Sequence, residues 1–425
     1  MIVPAIKSTR NGKIGVMGRH RLRAGIAKID ITPDIHRIRI QLGGYNARLN
    51  MPPRGVHDPI FARVLALEWG GSRVVIVSLD HLLVPWSLTR SVLQATELAP
   101  EQLFMGATHT HCAPDSMGLN ERMRFPLPGV GTFTPEFLEF TTERVARAVQ
   151  QALERLKPAQ VSLNAARLPN LNRNRRGRPL VDPTMTALRV ARADGTPFAA
   201  LIVYAAHPTI YPHTMMEVSA EFPGVVQTRI ERALGHGAVA LFLNGALGDV
   251  SPVADEGRDA HERVQRYGTK LADHALHLLR NGTPMLPVLR AYQVQVPLPE
   301  ARPHPALLET TGREYKVPES LLQQLVKRLM PETAPVSAVR IGELVLVGFP
   351  GEPISSLGLR TREIGREFGT RYATPVALVN DWIGYILTRH EYFKGNYEAT
   401  ISFNGPDAGE VIMQGVRAAL QAVMR

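Results

Sequence analysis

The chain has 425 residues, 44% of them hydrophobic and 20% charged, with a formal charge of +11. That length exceeds the ~250–300 residues of one ordinary core, so two domains or one large elaborated domain are expected. The basic excess permits contact with an anionic membrane, but the one dense arginine run, Arg173 to Arg178, has no nucleic-acid-binding signature beside it, so nucleic acid is not an expected partner.

Residues 1–21 read as a basic, flexible lead-in without the apolar stretch of a signal peptide. Residues 22–425 show no linker or repeat and read as one domain. Ala24 to Pro33 is a short strand stopped by proline. Ile60 to Trp69 and Arg73 to Asp80 form a hairpin across Gly70-Gly71. Leu88 to Leu98 has helical spacing, and Phe104 leads into Thr108-His109-Thr110-His111-Cys112. Pro135 to Leu156 is the clearest helix, with Thr134 as its cap. Strands follow at Val161 to Leu168, Thr186 to Ala193 and Phe198 to Ala206, the last delivering His207-Pro208. A helix at Gly224 to Leu234 precedes a buried strand, Ala238 to Asn244, which runs into Gly248-Asp249-Val250-Ser251-Pro252.

Asp259 to Arg280 is helical, and residues 283 to 319 are proline-rich strand and loop. After a short helix at Leu321 to Leu329, Ala338 to Phe349 is a hairpin ending in Pro350-Gly351-Glu352-Pro353. A helix over 355–368, a strand over 375–380, a loop with three tyrosines and a helix from Pro406 to Met424 complete the chain. The pattern is α/β, a mixed sheet core flanked by helices. No run of ~18 uncharged apolar residues is present, so a cytoplasmic protein, or one peripheral to a membrane, is expected.

Polar residues recur at the C-terminal ends of apolar strands, where α/β folds place their sites. In an extended segment His109 and His111 would share one face. Two such imidazoles can bind a metal, or one can bind it while the other moves protons. They can equally be hydrogen-bonded into a loop. His207 and Glu352 complete a donor set common in catalytic zinc sites. Cys112 reads as a small buried apolar residue rather than a ligand or nucleophile, and as the sole cysteine it allows no intrachain disulfide. Asp249 reads as structural, holding the turn that presents Ser251. The Arg173–Arg178 run reads as a solvated loop.

From Ala24 onward the chain resembles the neutral/alkaline non-lysosomal ceramidase family. The resemblance is carried, in order, by Thr108-His109-Thr110-His111, Asn172-Arg173-Asn174-Arg175, His207-Pro208-Thr209, Gly248-Asp249-Val250-Ser251-Pro252, Gly351-Glu352-Pro353 and the segment from Tyr385 to Tyr397. It implies a ceramidase-type zinc hydrolase domain, with Zn2+ held by His109, His207, Glu352 and Tyr385. It implies His111 as general base, Tyr397 as oxyanion donor, and Arg175 and Ser251 as substrate-site residues. It departs from the family after His111, where Cys112-Ala113-Pro114-Asp115 stands, and after Arg175, where Arg176-Gly177 stands. The family's C-terminal immunoglobulin-like domain is not expected here.

The expected substrate is ceramide or a related N-acyl amide. A zinc hydrolase of another amide or ester, and a non-catalytic zinc-containing binding protein, are the alternatives. Met117-Gly118-Leu119 and Met215-Met216 are the expected walls of an apolar groove.

Overall fold

The computed structural model describes residues 21–309 and 318–425. The basic lead-in lies outside these residues except for Arg21. A nine-stranded sheet carries the larger part of the chain. Its order is Val239–Asn244, Pro197–Tyr204, Thr184–Arg192, Lys157–Arg167, Arg23–Asp30, Phe61–Trp69, Ser72–Leu79, Leu103–Ala107, with Thr283–Pro284 beside Lys157–Arg167. Phe61–Trp69 and Ser72–Leu79 pair as the expected hairpin, with Trp69 opposite Ser72. Gly70 and Gly71 both take positive φ, 60° and 85°, which a two-residue type I′ turn requires.

The strands in the middle of the sheet pair antiparallel, and the pair at each end is parallel. A parallel pair needs a crossover, and each has a helix in it: Trp86–Thr96 at one end, Glu221–Leu234 at the other. The two ends of the sheet meet. Ser78 Oγ donates to the Phe242 carbonyl at 2.6 Å, and Phe104, Ile76, Leu241 and Leu243 share one buried cluster. Helix Pro135–Glu154 covers one outer face and Ala260–Arg280 another, each through a stripe of buried apolar residues.

A second, four-stranded sheet runs Leu289–Pro297, Thr333–Ile341, Leu344–Gly348, Tyr372–Val376. The C-terminal helix Ala408–Met424 packs on it, with Gly415 against Val296 and Val336. The strand expected at 375–380 is displaced toward the N-terminus. The ladder ends at Val376, because Leu378 and Asn380 take φ of 61° and 62° and leave extended geometry. Asn380 then joins the two sheets. Its side chain donates to the Leu103 carbonyl at 2.7 Å and accepts from the Met105 amide at 2.9 Å. The loop of three tyrosines contains two short helices, Arg389–Lys394 and Tyr397–Thr400. The α/β architecture with a mixed sheet is the expected one. Among the described residues no helix is long and apolar enough to cross a membrane.

Asn244, fully buried at the end of Val239–Asn244, ties together the two strand ends that carry histidines. Its amide donates to the Thr108 carbonyl at 3.0 Å and accepts from the Ala206 amide at 3.0 Å. Asn244→Ala leaves both backbone groups buried without partners. The expected loss is roughly 2–4 kcal/mol in unfolding free energy, read from urea melts.

Candidate active site

His109 and His111 do not meet by strand alternation. Leu103–Ala107 ends two residues before His109, and His109 itself is left-handed, with φ of 70°. Its amide donates to the His81 carbonyl at 2.9 Å, which holds the turn. The two rings nevertheless stand 4.9 Å apart and nearly perpendicular. Arg48, a fully buried arginine that nothing in the sequence pattern marked, fixes the second of them. Its guanidinium donates to the carbonyls of His111, Gly43 and Met215. Gly44 passes so close that a Cβ there would lie 2.3 Å from His111 Nδ1. His207 follows Pro197–Tyr204, and its amide donates to the Val250 carbonyl at 3.1 Å. Glu352 and Tyr385 are placed by one another: they are register partners in the short parallel pair Glu352–Pro353 and Tyr385–Ile386.

These segments bring their polar atoms to one point. His109 Nδ1 lies 2.6 Å from the Leu82 carbonyl, and His207 Nδ1 lies 3.0 Å from the Leu247 carbonyl. Both Nδ1 atoms therefore carry the proton, and each Nε2 turns its lone pair inward. The two Nε2 atoms are 3.0 Å apart. His111 Nε2 is 3.4 Å from His109 Nε2. Glu352 Oε2 lies 3.4 and 3.5 Å from His109 and His207 Nε2, buried and without a hydrogen-bond partner among the described residues. The Tyr385 hydroxyl is 3.4 Å from His207 Nε2. Trp382, another residue the pattern did not mark, donates Nε1–H to Glu352 Oε1 at 3.1 Å.

Lone pairs at these distances repel unless a proton or cation stands between them. One proton serves one pair, whereas a cation serves all of them. Neighbouring ligand atoms around one tetrahedral zinc lie ~3.3 Å apart when each bond is ~2.0 Å, which matches this spacing. His109, His111 and His207 form a buried group able to hold a metal ion, and the inward oxygen of Glu352 fits the same site. Burial, then the neighbouring charges of Arg175 and His109, holds the His207 imidazole well below its ordinary range. Burial and His109 do the same for His111. Burial raises the Glu352 carboxyl, but His109, Trp382 and Tyr385 outweigh it and leave the group below its usual range.

The remaining expected site residues divide. Tyr397 stands at the cavity mouth, its ring 6.0 Å from that of Tyr385. Arg175 lies behind Tyr385 and is not on the cavity wall: Nη2 donates to the Tyr385 hydroxyl at 2.9 Å and to the Gly248 carbonyl at 2.8 Å. Ser251 is opposite Arg173 in a two-stranded ribbon, away from the cavity lining. Asp249 accepts from the Ser355 amide and hydroxyl and from Asn174, anchoring that ribbon. Cys112 is fully buried among apolar residues, and burial pushes its thiol up to about 12. The arginine run is not the solvated loop expected. The Arg176 side chain is 1% exposed and paired with Glu391 and Glu398. Its partners come from more than 200 residues away, which no local pattern announces.

His109, His111 and Glu352 form the polar floor of a cavity of about 680 Å³. Its walls come from Phe125 to Val130, from the helix Glu319–Leu329 and from Trp382 and Phe403. Of the expected walls only Met117 is there. Met215 packs against a different core cluster, because Arg48 holds its carbonyl on the far side of His111.

A sequence model described as neutral/alkaline non-lysosomal ceramidase, N-terminal, matches residues 22–266. The neutral ceramidase of Drosophila pseudoobscura pseudoobscura is 26% identical over 314 residues, 60% of this chain and 44% of that protein. The chain thus spans under half the length of that relative. The neutral ceramidase of Pseudomonas aeruginosa is 22% identical over 480 residues, 90% of this chain and 69% of that protein. The crystal structure of neutral ceramidase from Pseudomonas aeruginosa superposes with a TM-score of 0.83 at 20% identity, over 95% of this chain and 75% of that one. A structure of ceramidase complexed with C2 gives a TM-score of 0.82 at 19% identity, with the same coverage.

Beside the cluster, His81 is fully buried with both ring nitrogens unpartnered among the described residues, its ring edge-on to Phe137. Burial lowers its pKa from 6.5 to about 4. The unfolded chain therefore takes up the proton first as pH falls. Stability is full above pH 6.5 and declines toward pH 4, by up to ~1.4 kcal/mol per pH unit for this group. His111 and His207 add slope of the same sign. His81→Leu is expected to remove one proton's share of that slope. Urea melts across the acid range, in chelator, measure it.

Proposed function

Because the chain belongs to the neutral/alkaline non-lysosomal ceramidase family, we propose that it hydrolyses the amide bond of ceramide or a related neutral N-acyl amide. Zinc is held by His109, His207, Glu352 and Tyr385 in this reading. The observation that carries it is the convergence of inward-facing imidazole nitrogens and an unpartnered carboxylate oxygen on the floor of an apolar cavity. A divalent ion bound there would polarise the amide carbonyl and acidify a water.

The protein's own groups would do the rest. His111 is the most exposed of the three histidines, 8% against 3% and 1%. As a neutral imidazole on the cavity lining it would take the proton of the attacking water and pass it to the leaving nitrogen. The Tyr397 hydroxyl at the mouth can donate to the oxygen on which negative charge develops. Phe125, Leu127, Leu322 and Leu325 would enclose a hydrocarbon chain. Among the described residues lining the cavity none is Lys or Arg. A carboxylate on the substrate would enter unpaired, so a neutral head group is favoured over an N-acyl amino acid. The substrate contacts expected of Arg175 and Ser251 belong to the same proposal and require a substrate group that reaches past the cavity lining, which includes neither residue. We extend the catalytic unit over residues 22–425, since Glu352 and Tyr385 lie beyond the matched segment and complete the cluster. The +11 charge would favour meeting such a lipid at an anionic membrane.

Elemental analysis should find about one zinc per chain, lost in His109→Ala and His207→Ala. His111→Ala should keep the metal and lose roughly two to four orders of magnitude in rate. Full occupancy after loss of both His109 and His207 would refute the ligand set, and a near-native rate without His111 would assign the proton to another group.

Substrate class is read by offering a short-chain ceramide, an N-acyl amino acid and a simple acyl ester at equal concentration. Chelator-sensitive fatty acid release from the ceramide, above the other two, is expected. Turnover of only the others would make the protein a zinc hydrolase of a different amide or ester.

A further inference from the structure

We propose that Glu398 is a positioning residue of the hydrolytic centre, acting through Arg175 on the Tyr385 phenol. The proposal rests on the reading of His109, His207, Glu352 and Tyr385 as metal ligands.

Glu398 follows Tyr397 directly, yet the two side chains part company. Tyr397 is 58% exposed at the cavity mouth and Glu398 is 3% exposed. The turn before them is left-handed at Asn396, with φ of 68°. Both Glu398 oxygens are taken by arginines of one loop. Oε1 accepts from Arg175 Nε at 2.8 Å, and Oε2 accepts from Arg176 Nη1. Arg176 is held further by Glu391 at 2.9 Å and by the carbonyls of Glu391 and Gly395. Arg178 pairs with Glu391 at 2.7 Å.

This cluster of two carboxylates and three arginines clamps the loop after Asn172–Asn174 to the segment bearing Tyr397. One member, Arg175, continues from it to the candidate centre, through Nη2 to the Tyr385 hydroxyl at 2.9 Å. That hydroxyl is 3.4 Å from His207 Nε2. A guanidinium is planar, so anchoring Nε on a carboxylate fixes where Nη2 points. Without Glu398 the Arg175 side chain loses its anchor, and the phenol loses a directed donor. Groups that orient metal ligands from outside typically change metal affinity 10–100-fold when removed.

Glu391 supplies the control. It holds the buried Arg176 and the partly exposed Arg178 in the same cluster, and its side-chain bonds go to those two arginines and not to Arg175. A general role in loop stability would appear in both carboxylates. A positioning role would appear in Glu398 alone.

The test measures zinc affinity by chelator competition in the parent, E398Q, E391Q, Y385F and the Y385F/E398Q double variant, with thermal melting as a check of folding. E398Q is expected to weaken zinc roughly 10–100-fold and to lower kcat, with KM near the parent's. E391Q should lower the melting temperature and leave zinc affinity at the parent's value. In the Y385F background E398Q should cost nothing further, because its route to the metal is gone. Parent-like affinity in E398Q, an equal loss in E391Q, or additive losses in the double variant would each overturn the proposal. Should E398Q not fold, Arg175→Lys keeps the charge and removes the Nε anchor. Weakened zinc in it supports the proposal and unchanged zinc overturns it. A parent that binds no zinc overturns the ligand reading and this proposal together, whereas a parent that binds zinc with E398Q unaffected overturns this proposal alone.

Discussion

Two ring nitrogens facing each other across 3.0 Å, each with its proton held on the far side by a backbone carbonyl, are the constraint around which the rest is arranged. Left to themselves, His109 and His207 would turn these lone pairs toward water. The fold forbids it. Leu82 and Leu247 occupy the Nδ1 positions, Asn244 ties the two strand ends, and the Glu352–Tyr385 register brings a carboxylate and a phenol to the remaining sides. Backbone hydrogen bonds fix every one of these segments, so the arrangement is set before any ligand arrives.

The large sheet makes this possible by its ends. Each end is a strand–helix–strand unit, and the sheet brings its ends into contact. His109 leaves one unit and His207 the other. The four-stranded sheet then adds Glu352 beyond Leu344–Gly348 and is stitched to the first sheet by Asn380. The polar floor thus comes from strand ends, whereas the apolar walls come from a loop and a separate helix. Floor and wall are built from different parts of the chain, and only the floor motifs coincide with the segments of family resemblance. The segment after His111, where this chain departs from the family, runs on into one of the walls.

Buried charge is handled in two ways. Around the histidines, burial holds the His111 and His207 imidazoles well below their ordinary range. A short distance away, Arg175, Arg176 and the partly exposed Arg178 pair with Glu391 and Glu398, three positive groups on two negative ones. Pairing of this kind contributes little net stability but defines geometry, since breaking it leaves an uncompensated charge. That is why an arginine loop that reads as solvated is a fixed support for Tyr385.

The residue pattern alone determined most strands and helices of the large sheet, though not the edge strand Leu103–Ala107, because apolar runs, turn glycines and helix periodicity act within a few residues. It determined that His109, His111, His207 and Glu352 stand at or near the ends of strands, and that Cys112 would be buried. It did not determine the end of the strand at Val376, because the positive φ at Asn380 accompanies side-chain hydrogen bonds with Leu103 and Met105, over 270 residues away. Nor did it determine how His109 meets His111, since a left-handed residue replaces the alternation that an extended chain would show. The tautomers, the burial of Arg176 and the walls of the cavity were likewise decided by tertiary contact. Each depends on which distant carbonyl, carboxylate or side chain arrives, and that information is spread over the whole chain.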